Sequence, residues 1–163
     1  MIKKKVCIIG AFAVGKTSLV KQYIQNIFSG KYHSTLGVKV DKKAVEVSGQ
    51  DVELILWDFA GEDDFTSVKM SYLRGAAGYI IVVDGTRRET LVTALELIER
   101  AETQSGKLPY IILINKHDLN LYWQITDADI QEIEAKGNKV FKTSAKTSEN
   151  VEAAFSAIAE AII

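Results

Sequence analysis

Residues 6–17 read VCIIGAFAVGKT and join a short apolar run to a glycine-rich loop. The apolar run is continuous, which is typical of a strand buried on both faces of a parallel sheet. The loop matches the pattern G-x-x-x-x-G-K-[ST], and the helical spacing of Leu19 and Tyr23 follows it directly. A strand, this loop and a helix in that order form the context of a phosphate-binding loop. The stretch therefore predicts an α/β fold that binds phosphate at the end of its first strand.

The loop residues suggest a role for each group. Gly10 and Gly15 let the backbone curl so that successive N–H groups converge on phosphate oxygens, and the following helix adds its positive N-terminal end. Lys16 can then reach the β- and γ-phosphates as a catalytic residue, and the Thr17 hydroxyl can ligate Mg²⁺. A chance glycine turn before a lysine is the alternative, and the flanking strand and helix argue against it. The predicted nucleotide-binding residues here are Ala13, Val14, Gly15, Lys16, Thr17 and Ser18.

Further strands and helices follow along the chain. Continuous apolar runs at residues 79–83 and 110–114 predict buried strands, and residues 38–47 and 52–57, joined by a short turn, predict an antiparallel hairpin. Helical apolar stripes are predicted for Leu19, Tyr23, Ile24 and Ile27, for Leu91, Ala94, Leu95 and Ile98, and for Val151, Ala154, Phe155, Ile158 and Ile162. The order β-α-β-β-α-β-α-β-α-β-α predicts three layers, with five helices around a six-stranded, mostly parallel sheet that carries one antiparallel hairpin strand.

Composition narrows the class of protein. The chain has 163 residues, with 20 Lys and Arg against 21 Asp and Glu, so we expect one domain over residues 1–163 and no bulk positive charge for nucleic acid. No apolar run approaches the roughly 20 residues of a membrane-spanning helix, and the N-terminal run is too short for a signal peptide. The single cysteine, Cys7, suits a reducing compartment. We therefore expect a soluble, cytoplasmic, monomeric protein.

Two polar motifs follow the fifth and sixth predicted strands. They are Asn115-Lys116-His117-Asp118 and Thr143-Ser144-Ala145-Lys146. The Asp118 carboxylate can accept from N1–H and the exocyclic amine of guanine, whereas adenine would leave it unpaired at a cost of more than about 1–3 kcal/mol. That cost corresponds to roughly tenfold discrimination or better. The predicted base-binding residues are Asn115, Lys116, Asp118, Ser144, Ala145 and Lys146.

A third motif, Trp57-Asp58-Phe59-Ala60-Gly61, ends the third predicted strand. Asp58 stands where it can hold the Mg²⁺ shell, and Gly61 allows a backbone N–H to approach the γ-phosphate. A strand that simply ends in a turn would explain Gly61 but not an aspartate directly before an apolar pair.

With these motifs the chain resembles a Ras-superfamily small GTPase, closest to the Rab branch, over nearly all of its length. Residues 72–76, 84–90 and 144–155 are similar to further Rab stretches. The resemblance implies a switch that binds GTP and GDP with Mg²⁺ and hydrolyses GTP. It also implies that Thr35 ligates Mg²⁺ in the GTP state, that Phe28 lies against the guanine edge, and that Tyr32 covers the phosphates. Residues 30–40 and 60–75 would be switch segments that contact an effector, an exchange factor and an activating protein.

The acidic run Glu62-Asp63-Asp64 departs from the family pattern. The family usually places a glutamine that orients the attacking water at the position of Glu62, and a carboxylate there adds negative charge beside an anionic transition state. We therefore predict slow unaided hydrolysis, the alternative being a solvated loop with no catalytic effect. Three other functions stay open: a module that holds GTP with negligible hydrolysis, the G domain of a larger protein and, more remotely, an ATP-using phosphotransferase, against which Asp118 argues.

Phe12 departs from the family as well, since many relatives have glycine there. Its ring would either crowd an arginine supplied by a partner, which is worth roughly 10³ to 10⁵ in rate, or turn outward onto a switch residue. Trp123 is predicted to pack under the helix that follows it, with a partner-binding patch as the alternative. No cysteine lies near Ile163, so we expect no prenyl anchor on this sequence.

Overall fold

The computed structural model describes residues 1–28, 38–59 and 70–163. The strands are β1 (Ile2–Gly10), β2 (Val38–Val47), β3 (Gln50–Phe59), β4 (Gly78–Asp84), β5 (Tyr110–Asn115) and β6 (Lys139–Lys142). The α-helices in these ranges are α1 (Lys16–Gln25), α2 (Glu89–Ser105), α3 (Asp127–Ala135) and α4 (Val151–Ala161), and short 3₁₀ helices span Ser71–Leu73 and His117–Tyr122. Within these residues, no helix combines the length and apolar character needed to cross a membrane.

The strands form one sheet in the order β2-β3-β1-β4-β5-β6. All neighbouring pairs are parallel except β2 and β3, which are antiparallel. Their hairpin turns through Ser48 and Gly49, whose φ angles of 51° and 79° suit a tight two-residue turn. The predicted fold class is confirmed. A helix is also predicted between the third and fourth strands, where residues 60–69 lie outside the described residues.

The core lies on both faces of the sheet, because successive side chains of a strand point to opposite faces. Val6 and Ile8 of β1 belong to the cluster that α1 and α4 cover, whereas Cys7 and Ile9 belong to the cluster that α2 covers. Every residue of β4 is buried. The continuous apolar runs therefore mark strands covered on both faces, as predicted.

Two residues of the predicted helical stripes are not in the core. Helix α1 ends at Gln25 because Asn26 adopts a left-handed φ of 55°, so Ile27 lies beyond the helix and is 52% exposed. In α2, Leu95 is 45% exposed, while Leu97 and Ala101 are buried. The prediction was wrong at Ile27 and Leu95, because the first lies past the helix end and the second lies to the side of the buried stripe.

The parallel strands place their carboxyl ends at one edge of the sheet. The loops after β1, β4, β5 and β6 therefore meet there, and ligands of open α/β sheets bind at this edge.

Candidate functional site

The glycine-rich loop between β1 and α1 needs glycine at both ends. A Cβ at Gly10 would lie 2.5 Å from the carbonyl oxygen of Val82, and one at Gly15 would overlap the side-chain amide of Asn115. Gly15 also has a left-handed φ of 103°. The two glycines thus allow the loop to press against β4 and β5.

Five consecutive carbonyl oxygens of this loop, those of residues 10–14, accept hydrogen bonds from side chains. The donors are Lys16 Nζ to Gly10 and Ala11 (3.3 and 3.2 Å), Arg87 Nη2 to Phe12 (2.7 Å), Lys116 Nζ to Ala13 (3.0 Å) and Asn115 Nδ2 to Val14 (3.0 Å). In a trans peptide the C=O and the following N–H point in opposite directions. Carbonyl groups held by these donors therefore turn the N–H groups of residues 13–15 the other way, as an anion-binding loop requires.

The two polar motifs after β5 and β6 contact each other. Asp118 Oδ1 accepts a hydrogen bond from Ser144 Oγ at 2.7 Å, and Asn115 Oδ1 accepts one from Thr143 Oγ1 at 3.2 Å. Helix α1 joins them, since Gln22 Nε2 donates to the carbonyl oxygen of Ala145 at 2.7 Å. The loops that were predicted separately to bind phosphate and base thus form one hydrogen-bonded unit.

Asp58 and Thr17 meet at the end of β3, where the Thr17 hydroxyl donates to Asp58 Oδ2 at 2.6 Å. Asp58 is 1% exposed, and within the described part of the chain its Oδ1 has no hydrogen-bond partner. Burial raises the pKa of this carboxyl, although the bond from Thr17 and the charge of Lys16 act in the opposite direction. A divalent cation beside these oxygens would offset the cost of the buried carboxylate, and hard oxygen ligands suit Mg²⁺. The residues present therefore fit the predicted metal.

Other predicted residues lie around this unit or outside the described ranges. Phe28 and Phe12 are 42% and 44% exposed, and Lys146 is also exposed. Ser18 is half-buried in the first turn of α1. Tyr32, Thr35, Gly61, Glu62, Asp63 and Asp64 lie outside the described residues.

Asp84 was missed as a site residue. It ends β4, is 1% exposed, and accepts from Lys116 Nζ at 2.9 Å, Arg87 Nε at 3.0 Å and the Thr86 hydroxyl at 2.6 Å. Burial acts to raise the pKa of this carboxyl, but the hydrogen bonds from Thr86, Lys116 and Arg87 outweigh it, so the pKa lies below its usual value. An aspartate at the carboxyl end of a fully apolar run was the available signal.

Trp123 packs as predicted. It is half-buried and packs against the core cluster that contains Ile133 of α3 and residues of α2, and its ring lies so close to Gly85 that a Cβ there would overlap it. The ring also contacts His117 edge-on at 4.9 Å, and His117 Nδ1 lies 2.9 Å from Glu149. Trp123 thus packs against the base motif through His117.

The arrangement suits an anionic ligand that carries both phosphate and a base. The N-terminal end of α1 and Lys16 offer positive charge beside the turned N–H groups, while Asp118 offers an acceptor at the far end.

The sequence model of the Ras family matches residues 5–163. Ras-related protein Rab-4B of Rattus norvegicus, Homo sapiens and Mus musculus is in each case 37% identical over 161 residues, which cover 98% of this chain and 76% of the relative.

Proposed function

Because this chain belongs to the Ras family, whose members are GTP-binding switch GTPases, we propose that its strand-end site binds GTP and GDP together with Mg²⁺. We propose further that unaided hydrolysis is slow and that a partner reads the difference between the two nucleotide states.

The observation that carries this proposal is the set of carbonyl groups held by side chains in the glycine-rich loop. Arg87, Lys116 and Asn115 hold the carbonyl oxygens of residues 12–14. The N–H groups of Ala13, Val14 and Gly15 then face away from those donors and are oriented to bind phosphate oxygens. Together with the first turn of α1, including Lys16, Thr17 and Ser18, they form the phosphate site.

Guanine recognition is assigned to the loops after β5 and β6. Ser144 donates to Asp118 Oδ1, which keeps the carboxylate oriented as an acceptor for N1–H and the amine of guanine. Asn115 and Lys116 act mainly by holding the phosphate loop, so that phosphate and base sites keep a constant separation. Ala145 and Lys146 border the base, and Phe28 lies against its edge.

Mg²⁺ would be held by Thr17, by Thr35 and, through its shell, by Asp58, and when bound it neutralises charge on the β- and γ-phosphates. The contact between Thr17 and Asp58 supports this assignment, because it brings a hydroxyl and an uncompensated carboxylate oxygen together. In this proposal Thr35 and Gly61 contact the γ-phosphate, and Tyr32 covers it.

Hydrolysis would rest on positioning and charge. Lys16 is 6% exposed, and its ammonium group lies against the loop carbonyls, where it stabilises negative charge that develops on the phosphates. Glu62 would orient the attacking water less well than glutamine, since a carboxylate lacks the amide donor and repels the anionic transition state. Glu62 is therefore the catalytic residue on which the slow rate depends.

The switch segments at residues 30–40 and 60–75 are proposed to bind an effector, an exchange factor and an activating protein. Tyr72, near the end of the second segment, is 40% exposed, and its ring stacks on Phe59 at 5.3 Å and lies 6.4 Å from Trp57. An exposed tyrosine held on a buried aromatic ring in this segment supports recognition there, since aromatic side chains are enriched at protein interfaces. We propose a single monomeric domain over residues 1–163 that acts in the cytoplasm, and the buried, reduced Cys7 is compatible with that compartment.

The test is single-turnover release of phosphate from the protein loaded with GTP and Mg²⁺, after the nucleotide released by denaturation has been identified as guanine or adenine. Glu62→Gln is expected to release phosphate roughly tenfold faster, which corresponds to about 1.4 kcal/mol of transition-state stabilisation. Asp63→Asn is the matched control, because it removes a neighbouring charge and restores no water-binding amide.

An unchanged rate in Glu62→Gln would contradict the role of Glu62. Equal acceleration by Asp63→Asn would mean that net charge alone slows the reaction. GTP that stays intact in both variants would favour a GTP-holding module, and a bound adenine nucleotide would overturn the proposal.

A further inference from the structure

The Arg87 side chain links the loop after β4 to the glycine-rich loop. Its Nε donates to Asp84 Oδ2 at 3.0 Å, and its Nη2 donates to the Phe12 carbonyl oxygen at 2.7 Å. The two donors belong to one planar guanidinium, so the carboxylate of Asp84 fixes the direction in which Nη2 points.

Asp84 also fixes the neighbouring cation. Lys116 Nζ lies 2.9 Å from the same Oδ2 and donates to the Ala13 carbonyl oxygen at 3.0 Å. One buried carboxylate thus orients two side chains that hold adjacent carbonyl groups, those of Phe12 and Ala13.

Ala13, which lies between these two peptide groups, has a backbone conformation that needs such support. Ala13 has a φ of 61°, in the left-handed region that disfavours residues with a Cβ. Its preceding peptide is held through the Phe12 oxygen and its following peptide through its own oxygen. Release of either bond would let Ala13 relax to an ordinary conformation, which would rotate an N–H group out of the phosphate site.

We propose that Arg87 is a positioning residue that acts through the Phe12 carbonyl group to keep the loop ready for the β-phosphate, and so slows release of GDP and GTP. The inference rests on the proposed function and extends it to a residue outside the phosphate and base motifs. Arg88 cannot substitute, because its guanidinium pairs with Asp129 of α3, with Nη2 to Oδ1 at 2.7 Å.

The test compares the variants Arg87→Ala, Arg87→Lys and Arg88→Ala in competition titrations of GDP and GMP against a fluorescent GDP, together with the GDP dissociation rate. In Arg87→Ala we expect GDP to bind roughly tenfold more weakly and to dissociate correspondingly faster, because a charge-assisted hydrogen bond to the loop is lost. The affinity for GMP should change by less than about twofold, because GMP has no β-phosphate for the loop to bind and a tenfold change would indicate a lost contact. The GDP affinity of Arg87→Lys should lie between those of the unmodified chain and Arg87→Ala. A lysine ammonium group lacks the planar guanidinium fork that reaches both Asp84 Oδ2 and the Phe12 carbonyl oxygen.

Arg88→Ala is the matched control and should bind both nucleotides as the unmodified chain does. Equal losses of GDP and GMP affinity in Arg87→Ala would assign the residue a general structural role and overturn the inference, as would GDP binding that is unchanged. If Arg87→Ala does not fold, judged by thermal unfolding, Arg87→Lys carries the same comparison. An unmodified chain that binds neither GDP nor GTP would overturn the proposed function itself, which separates that failure from failure of the Arg87 role.

Discussion

Among the individual residues of the site, Asp84 is central because its carboxylate binds two of the side chains that hold the phosphate loop. It is almost fully buried, yet hydrogen bonds and two cations satisfy both of its oxygens. A buried charge is tolerated when it is paired in this way, and loss of one partner leaves the others uncompensated. Asp84 therefore couples local stability to the shape of the phosphate loop.

Substitution of Asp84 gives a prediction about pH. The pKa of this carboxyl is lower in the folded chain than in the unfolded chain, where the pKa of aspartate is about 3.9. Its contribution to the free energy of unfolding is therefore fully present above about pH 5 and is lost as the pH falls through the folded pKa. We expect Asp84→Asn to be less stable by about 1–3 kcal/mol at pH 7, with a difference that shrinks below about pH 4.

Urea unfolding of the unmodified chain and of Asp84→Asn across this pH range measures the difference. The exposed acid Asp51 supplies the control variant Asp51→Asn, which should show little change at either pH. A difference for Asp84→Asn that is constant from pH 7 to pH 3.5 would contradict the assignment.

Among the helices, α3 shows how the residues at an N-terminus stabilise a helix. Thr126 accepts a hydrogen bond from the backbone N–H of Asp129 at 3.1 Å, and the Asp129 carboxylate accepts one from the N–H of Thr126 at 2.8 Å. This reciprocal capping box satisfies two amide groups that the helix cannot satisfy itself. Both hydrogen bonds of the cap are exposed to solvent.

We expect Thr126→Ala to lower the free energy of unfolding by about 1 kcal/mol, because the helix loses one side of its cap. GDP affinity should stay unchanged. Thr103→Ala is the control, since Thr103 lies within α2 and donates to the Glu99 carbonyl oxygen one turn earlier. Denaturant unfolding checks the prediction, and equal effects of the two variants would contradict the role of the cap.

At the scale of the whole molecule, the two core layers hold the helices against the sheet. Phe155 of α4 is 1% exposed and stacks on Tyr23 of α1, with ring centroids 4.0 Å apart and planes 6° from parallel. The same helix α1 carries Lys16 and Thr17 at its start. Packing far from the site therefore sets the position of the phosphate-binding end of α1.

Phe155→Ala is expected to lower the free energy of unfolding by about 3–5 kcal/mol, because it removes a buried aromatic ring and leaves a cavity. Leu121→Ala is the control, as Leu121 is 91% exposed and should contribute less than about 0.5 kcal/mol. Thermal and urea unfolding provide the comparison. A loss below about 1 kcal/mol for Phe155→Ala would mean that the core closes around the missing ring.

Local sequence was enough to predict the strands, the glycine-rich loop and most helix stripes. Residues 6–17 contain a strand, a loop and the start of a helix, so their structure can be predicted from residues that are adjacent in sequence. The errors at Ile27 and Leu95 arose where spacing alone cannot say which apolar residue a helix end or a neighbouring element will cover. Asp84 and Arg87 were missed because the contacts that connect them to the phosphate loop, through Lys116 and the Phe12 carbonyl group, join residues that are distant in sequence.

The order of the strands and of the described helices, the phosphate and base motifs and the family resemblance can be read from the amino-acid sequence, because each is carried by contiguous residues. Which distant groups hold the phosphate loop becomes evident only in the folded chain, since Arg87 and Phe12 are separated by 75 residues and Asn115 and Val14 by 101. Such contacts depend on the parallel sheet, which brings the ends of separate strands to one edge and sets donors of one loop against carbonyl groups of another.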